Sequence, residues 1–134
     1  MSSFVSHTSV DCRNAYALAE FWKGVLGYES DPDEPDEPGD EECLIRDPET
    51  RHTILFIEVP EAKSVKNRIH FDLRPRAGTR DEEVARLLEA GATQVGDHRG
   101  IAGPGTGWVI LADPEGNEFC ILRSLEEAGL APAD

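Results

Sequence analysis

Two histidines stand at matched places in a chain of 134 residues, and histidine is a common metal ligand. His7 precedes a run that ends in the turn sequence Asp-Pro-Glu at 47–49, and His70 precedes a run that ends in the same sequence at 113–115. The distances along the chain, from 7 to 47 and from 70 to 113, are 40 and 43 residues. Such a repeat is expected to bring equivalent histidines together across a pseudo-twofold axis. The repeat therefore predicts a shared site and suggests a metal.

Hydrophobic periodicity predicts the elements that position the first histidine. Asn14 is a suitable N-cap for a helix that runs to about Leu26, and Gly27 is a suitable residue to end it. The remaining elements of this half are strands over 4–12, near 28, over 43–46 and over 52–59, with an acidic loop at 31–42.

The second half repeats this order. Apolar and polar residues alternate over 68–74, which predicts a strand with Ile69 on its apolar face and His70 on its polar face. Thr79 and Glu82 match a capping box. The helix that follows is predicted to turn Val84, Leu87 and Leu88 inward and to end at Gly91, and further strands are predicted over 93–97, 108–112 and 118–123.

These elements predict an α+β fold of two βαβββ modules in a single domain over 1–134. Module one covers about 1–60 and module two about 68–124. The eight strands are expected to form a curved mixed sheet, with the helices on its outer face and a central cup on the other.

Composition excludes several classes of partner. A net charge of −14 argues against nucleic acid, because phosphate binding requires a basic surface. No stretch approaches the roughly 20 apolar residues of a membrane span, and no signal-peptide pattern opens the chain. The three cysteines form no paired framework, which favours the cytoplasm. The loop 31–42 holds eight acidic residues in twelve; it is either a solvated mobile loop or an acidic rim that attracts a cationic ligand.

The chain resembles the vicinal-oxygen-chelate superfamily, the glyoxalase/bleomycin-resistance/dioxygenase fold, and most of all its glyoxalase-like domain proteins. The resemblance covers almost the whole chain apart from the acidic loop and the tail. The segments that carry it are 18–22 (Leu-Ala-Glu-Phe-Trp), 26–28 (Leu-Gly-Tyr), 56–60, 66–73, 88–93 and 108–120, the last containing Asp-Pro-Glu-Gly-Asn.

The resemblance implies a metal site, since metal-dependent members take ligands from the first and last strands of each module. His7 and His70 fall on the first-strand positions, and Glu58 is implied as the third ligand. Two histidines and a carboxylate suit Fe(II), Mn(II), Ni(II) and Zn(II) alike.

The sequence departs from the family pattern at Cys120, where metal-dependent members usually carry Glu. Glu118 lies two residues earlier and so shares a strand face with Cys120, which makes either residue a candidate to approach a metal. Cys120 is either a small buried apolar residue or a thiolate ligand, which would favour zinc. If the metal site is lost, the cup binds an organic ligand without metal.

Two functions follow from the resemblance. One is a metal-dependent lyase, isomerase or dioxygenase that acts on a small oxygen-rich molecule, with the metal as Lewis acid and Glu58 or Glu118 as base. The alternative is a metal-free binding and resistance protein for a bleomycin-type antibiotic. Either would act on a small molecule, and family members often form homodimers.

The sequence also predicts the surroundings of five further side chains. Phe56 and Trp108 are expected to line the cup or the core, where they could stack on a ligand ring. Arg68 either fixes the link between the modules or presents a cation to an anionic substrate. His52 and His98 lie beside turns, and we expect both to face solvent without a partner.

Overall fold

Two compact units make up the computed structural model, which describes residues 1–130 of the chain. The first unit covers Met1–Ser64, and the second begins at Val65. Each contains one helix and four strands in the order βαβββ, and each sheet combines parallel and antiparallel pairs. The predicted α+β fold of two βαβββ modules is confirmed.

Unit 1 is organised around helix α1. Its elements are β1 (Thr8–Cys12), α1 (Ala15–Leu26), β2 (Glu29–Ser30), β3 (Glu42–Arg46) and β4 (Thr53–Glu58), and the strand order in the sheet is β1-β4-β3-β2. The side chain of Asn14 accepts a hydrogen bond from the backbone N–H of Ala17 (3.0 Å), and Gly27 ends the helix with φ of +70°. Both predicted helix boundaries are confirmed, because a side-chain acceptor and a left-handed glycine satisfy the terminal backbone groups.

Unit 2 has the same topology. Its elements are β5 (Asp72–Leu73), α2 (Arg80–Glu89), β6 (Thr93–Asp97), β7 (Val109–Ala112) and β8 (Glu118–Ile121), and the strand order is β5-β8-β7-β6. The capping box predicted from Thr79 and Glu82 is present. The predicted inward position of Leu88 is wrong: its side chain is 38% exposed, because the short helix buries only the stripe that contains Val84 and Leu87.

The apolar core of each unit lies on the helix side of its sheet. In unit 1 the helix contacts β3 and β4, and Ile45, Ile54 and Phe56 are almost completely buried. In unit 2 the helix contacts β8, where Phe119 and Ile121 are equally buried. Because side chains alternate along a strand, the residues between these core positions belong to the opposite face of each sheet.

The strand predicted over 68–74 is much shorter in the structure and consists of Asp72–Leu73 alone. Before it, the side chain of Asn67 takes the place of backbone pairing. Its Oδ1 accepts a hydrogen bond from the N–H of Glu118 (2.9 Å), and its Nδ2 donates to the carbonyl of Glu118 (3.1 Å). The backbone of the preceding segment is therefore not extended along β8, and Ile69 is 85% exposed instead of lying on an apolar face. The first predicted strand is also shorter and begins at Thr8.

Neither helix in the described part of the chain has the length and apolar character that crossing a membrane requires.

Candidate functional site

The face of the second sheet that points away from α2 contains a cavity of about 450 Å³. Alternation along β8 places Glu118 and Cys120 on this face, as predicted, and Leu122 follows them beyond the end of the strand. The rest of the lining comes from the β5 segment and the β7 segment: Lys66, His70, Asp72, Trp108 and Ile110.

Three potential metal ligands meet at this cavity: His70, Asp72 and Cys120. One ligand atom from each lies within 4.8 Å of the others. The strand register explains this proximity, because Asp72 is the direct partner of Cys120 in the parallel pairing of β5 with β8. His70 lies two residues before Asp72, and its Nδ1 is 3.2 Å from the Asp72 carboxylate.

The thiol of Cys120 is buried and forms no disulfide. Burial raises the pKa of Cys120 to about 11, and the nearby carboxylate of Asp72 contributes in the same direction. The group is therefore protonated near neutral pH, and a metal that binds it must displace a proton.

Glu118 is held from two sides. The ammonium group of Lys66 forms an ion pair with its carboxylate, and Asn67 binds its backbone N–H and carbonyl. The Glu118 side chain is only 18% exposed, so these contacts fix a carboxylate against the cavity beside the three potential ligands.

A second cavity of about 540 Å³ adjoins the first and shares Lys66 and His70 with it. Its other lining residues are Val65, Asn67 and Arg68. Arg68, predicted to bind a ligand or to fix the link between the modules, thus lines a cavity of unit 2.

Trp108, another predicted ligand contact, lines the first cavity just before β7. Its indole stacks on the imidazole of His98, with ring centroids 4.9 Å apart. The carbonyls of Thr106 and Gly107 accept hydrogen bonds from the buried guanidinium of Arg80 (2.7 and 2.9 Å). Helix α2 therefore fixes the backbone that carries Trp108.

The residues predicted for the site in unit 1 have different surroundings. The carboxylate of Glu58 accepts a hydrogen bond from the backbone N–H of Ala15, the first residue of α1 (3.0 Å). Phe56 is fully buried on the helix side of β4, and a ligand could contact it only if the core opened. His7 is exposed, and its Nδ1 lies 3.0 Å from the hydroxyl of Ser6.

The register also identifies the unit 1 counterpart of the potential ligands. Ser9 pairs with Leu55 in the parallel pairing of β1 with β4, as Asp72 pairs with Cys120 in unit 2. Leu55, and not Glu58, is thus the counterpart of Cys120. Of the three potential ligands, only the histidine has a counterpart of the same type in unit 1, which is His7. Ser9 stands in place of the carboxylate and Leu55 in place of the thiol.

Unit 1 holds another group of potential ligands, formed by Asp36 and Asp40 of the acidic loop and Cys43 of β3. Burial raises the pKa of the Asp36 carboxyl, and it raises the pKa of the Cys43 thiol to about 12. Both shifts favour the protonated forms, so a metal that binds here must displace protons, as it must at Cys120.

The prediction that His52 and His98 lack partners is wrong. His98 stacks on Trp108, and both ring nitrogens of His52 are engaged, one with the hydroxyl of Tyr28 (2.8 Å) and one with that of Thr8 (3.2 Å). These partners come from distant parts of the chain, so local sequence does not reveal them.

Sequence reasoning did not assign a role to Asp72 or to Lys66. Asp72 is two residues after His70 in an alternating segment, and this spacing already indicated that the two side chains share a face. No comparable pattern identifies Lys66, because its ion pair with Glu118 spans 52 residues.

Comparison with known proteins identifies the family of this chain. A family model described as Glyoxalase-like domain matches residues 7–122. Among curated proteins, no significant sequence match was found.

Several solved structures have the same fold. A possible glyoxalase from Bacillus cereus is 16% identical, with a TM-score of 0.63 over 90% of this chain and 99% of that one. The fosfomycin resistance protein FosX from Listeria monocytogenes, complexed with Mn(II) and 1S,2S-dihydroxypropylphosphonic acid, is also 16% identical, with a TM-score of 0.67 over 95% of both chains. FosX from Mesorhizobium loti is 13% identical, with a TM-score of 0.64 over 91% of this chain and 92% of that one. At these identities the likeness establishes the vicinal-oxygen-chelate fold.

Proposed function

The chain belongs to the glyoxalase-like domain family, and we propose that it is a metal-dependent enzyme that acts on a small oxygen-rich molecule in the 450 Å³ cavity of unit 2. The observation that carries this proposal is the convergence of His70, Asp72 and Cys120, with ligand atoms within 4.8 Å of one another. A lyase, isomerase or dioxygenase reaction is compatible with this arrangement.

The donor set fits a divalent metal. An imidazole, a carboxylate and a thiol together suit zinc well, while the imidazole and carboxylate also suit Mn(II), Ni(II) and Fe(II). The Mn(II) in the FosX structure from Listeria monocytogenes supports a metal in this fold. His7 and Glu58 stay predicted ligands, although Glu58 would have to give up its hydrogen bond to Ala15.

When bound, the metal would act as a Lewis acid that polarises a substrate oxygen. In this proposal Glu118 is the group that accepts and returns a proton, because its carboxylate faces the cavity and is held there by Lys66, while Asn67 binds its backbone. Trp108 would pack against the apolar part of the substrate, and its stacking on His98 would limit its movement. Glu58, the other predicted base, is engaged at the start of α1.

Metal analysis of the purified chain tests this proposal. We expect close to one equivalent of a divalent metal, lost in His70→Ala and Cys120→Ala but retained in Cys12→Ala, which removes a buried cysteine outside every candidate ligand group. With Co(II) bound, we expect a thiolate-to-metal absorption band that disappears in Cys120→Ala. A chain that stays folded, contains no metal as purified and takes up none would overturn the proposal.

A metal-free binder of a bleomycin-type cationic antibiotic is the second candidate. The acidic loop 31–42 favours it, since eight carboxylates can attract a cation. Calorimetric titration with bleomycin separates the two: micromolar binding by chelator-treated protein supports the binder, and the absence of heat removes it.

A cytoplasmic location and a homodimer complete the proposal. All three cysteines are free thiols, as is usual in a reducing compartment. Each sheet also ends in edge strands that a second copy could pair with. Sedimentation equilibrium would measure the oligomeric state directly.

A further inference from the structure

Basic residues are concentrated in one segment of an otherwise acidic chain. The fourteen residues from Lys63 to Arg76 hold five of the 13 lysines and arginines but one of the 27 acidic residues. The segment includes β5, and its residues 65–68, 70 and 72 line the unit 2 cavities. The charge of this segment is therefore opposite to the charge of the whole protein.

The 540 Å³ cavity has a wholly neutral and basic wall. The side chains that line it are Val65, Lys66, Asn67, Arg68 and His70. Lys66 shares its charge with Glu118, whereas the exposed guanidinium of Arg68 has no hydrogen-bond or ion-pair partner among residues 1–130. Arg68 thus presents an uncompensated positive charge and up to five N–H donors to this cavity.

This basic cavity continues into the one that holds the potential metal ligands. Lys66 and His70 line both, so a single small molecule can extend from one to the other. Such a molecule would place its oxygen atoms near Asp72 and Cys120 and another of its groups against Arg68.

We infer that the ligand of unit 2 is a small oxyanion, a carboxylate, phosphonate or phosphate, whose charged group is bound by Arg68 with help from Lys66. A guanidinium binds such groups through paired, charge-assisted hydrogen bonds. This inference rests on the proposed function for the location of the ligand, and it names the substrate class. A cationic antibiotic is the opposite of what this wall would attract.

Chelator-treated full-length protein provides the test. Amide chemical shifts are followed during titration with methylphosphonate, with neutral 1,2-propanediol and with tetramethylammonium, all at constant ionic strength. We expect saturable shifts over residues 65–70 with methylphosphonate alone. Arg68→Gln should weaken this binding about tenfold or more, because it removes a charged hydrogen-bond donor.

Two variants make the comparison specific. Arg68→Lys keeps the charge and should restore part of the affinity. Arg86→Gln removes one positive charge from α2, which packs on the other side of the sheet, and should leave the affinity unchanged. Equal weakening by Arg68→Gln and Arg86→Gln would mean that the net charge alone explains the loss of affinity, and it would overturn the inference. So would the absence of saturation with methylphosphonate, or saturation with tetramethylammonium.

The protein in this titration contains no metal, so the outcome is independent of the metal analysis. Anion binding without metal uptake would remove the proposed enzyme and leave this inference intact. Metal uptake without anion binding would do the reverse.

Discussion

The two units have the same backbone plan and different side chains on one face of the sheet. In both, the first backbone N–H of the helix is bound by a carboxylate from a distant part of the chain: Ala15 by Glu58 (3.0 Å) and Arg80 by Glu127 (2.7 Å). In both, the strand after the histidine runs parallel to the last strand of the unit. On the open sheet face they diverge, with Ser9 and Leu55 in unit 1 and Asp72 and Cys120 in unit 2.

This difference indicates which features of the repeat belong to the fold and which to the chemistry. Features that both units share satisfy helix ends and align strands, so they are needed whatever the protein does. The hydrogen bond from Ala15 to Glu58 belongs to this group, because Glu127 has the same contact in unit 2. The carboxylate of Asp72 and the thiol of Cys120 are replaced by Ser9 and Leu55 at the matching positions of unit 1, as expected if they are retained for a ligand.

The largest expected effect is on the free energy of unfolding, at the first residue of α2. This residue is Arg80, whereas the first residue of α1 is Ala15. Arg80→Ala should lower the free energy of unfolding by about 3 kcal/mol, because two loop carbonyls would lose a buried charged donor. Urea denaturation of this variant and of Arg86→Ala, a surface control, measures the effect. A loss below about 1 kcal/mol would mean that the loop before Trp108 does not depend on Arg80.

The next largest expected effect is a loss of metal affinity when a potential ligand is removed. Asp72→Ala should weaken zinc binding about 100-fold or more, since even supporting residues around a metal contribute 10- to 100-fold. The matched change in unit 1 is Ser9→Ala, at the same place in the register, and it should leave the affinity unchanged. Competition with a chromophoric chelator gives both affinities. Similar losses in the two variants would show that the units do not differ in the way we infer.

A smaller effect is expected at the shared helix contact. Glu58→Ala and Glu127→Ala should each lower the free energy of unfolding by about 1 kcal/mol, as for the loss of an N-terminal cap. Neither should change the metal content. If Glu58→Ala instead removes the metal and leaves stability intact, Glu58 is the third ligand that the sequence predicts.

The smallest expected effect is a difference between the two units in how strongly a low pH destabilises them. In unit 2, hydrogen bonds from arginine side chains lower the pKa of Asp81 and lower that of Asp97 to about 2. For Glu127, burial acts to raise the pKa, but hydrogen bonds from Ser124 and Arg80 outweigh it and the pKa is lowered. At a pH above their ordinary pKa values, these carboxylates stabilise unit 2. This contribution is lost as the pH falls from about 4.5 towards 2.

Unit 1 is expected to behave differently. Burial raises the pKa of Asp36, so its contribution is fully present below pH 3.8 and is lost as the pH rises. Hydrogen exchange, corrected for intrinsic rates, should therefore show α2 losing protection before α1 on acidification. Asp97→Asn should reduce the difference, and earlier loss in α1 would contradict this assignment.

Much of this architecture is predictable from sequence because it is encoded locally. Asn14, Gly27 and the Thr79–Glu82 box define helix ends by contacts within one turn, and alternation places Glu118 and Cys120 on one face. Of the strand predicted over 68–74, only Asp72–Leu73 is present. Ahead of these residues the side chain of Asn67 binds β8 in place of the backbone.

The sequence by itself determined the repeat, the α+β class and the position of His70 in that repeat, since these depend on periodicity, capping and residue type. Only the tertiary structure decided which side chains accompany that histidine. Asp72 meets Cys120 through parallel pairing across 48 residues, Lys66 meets Glu118 across 52, and Glu58 turns to the start of α1. Strand register and side-chain direction arise from packing between distant segments, and a shift of one residue would exchange the two faces of the sheet.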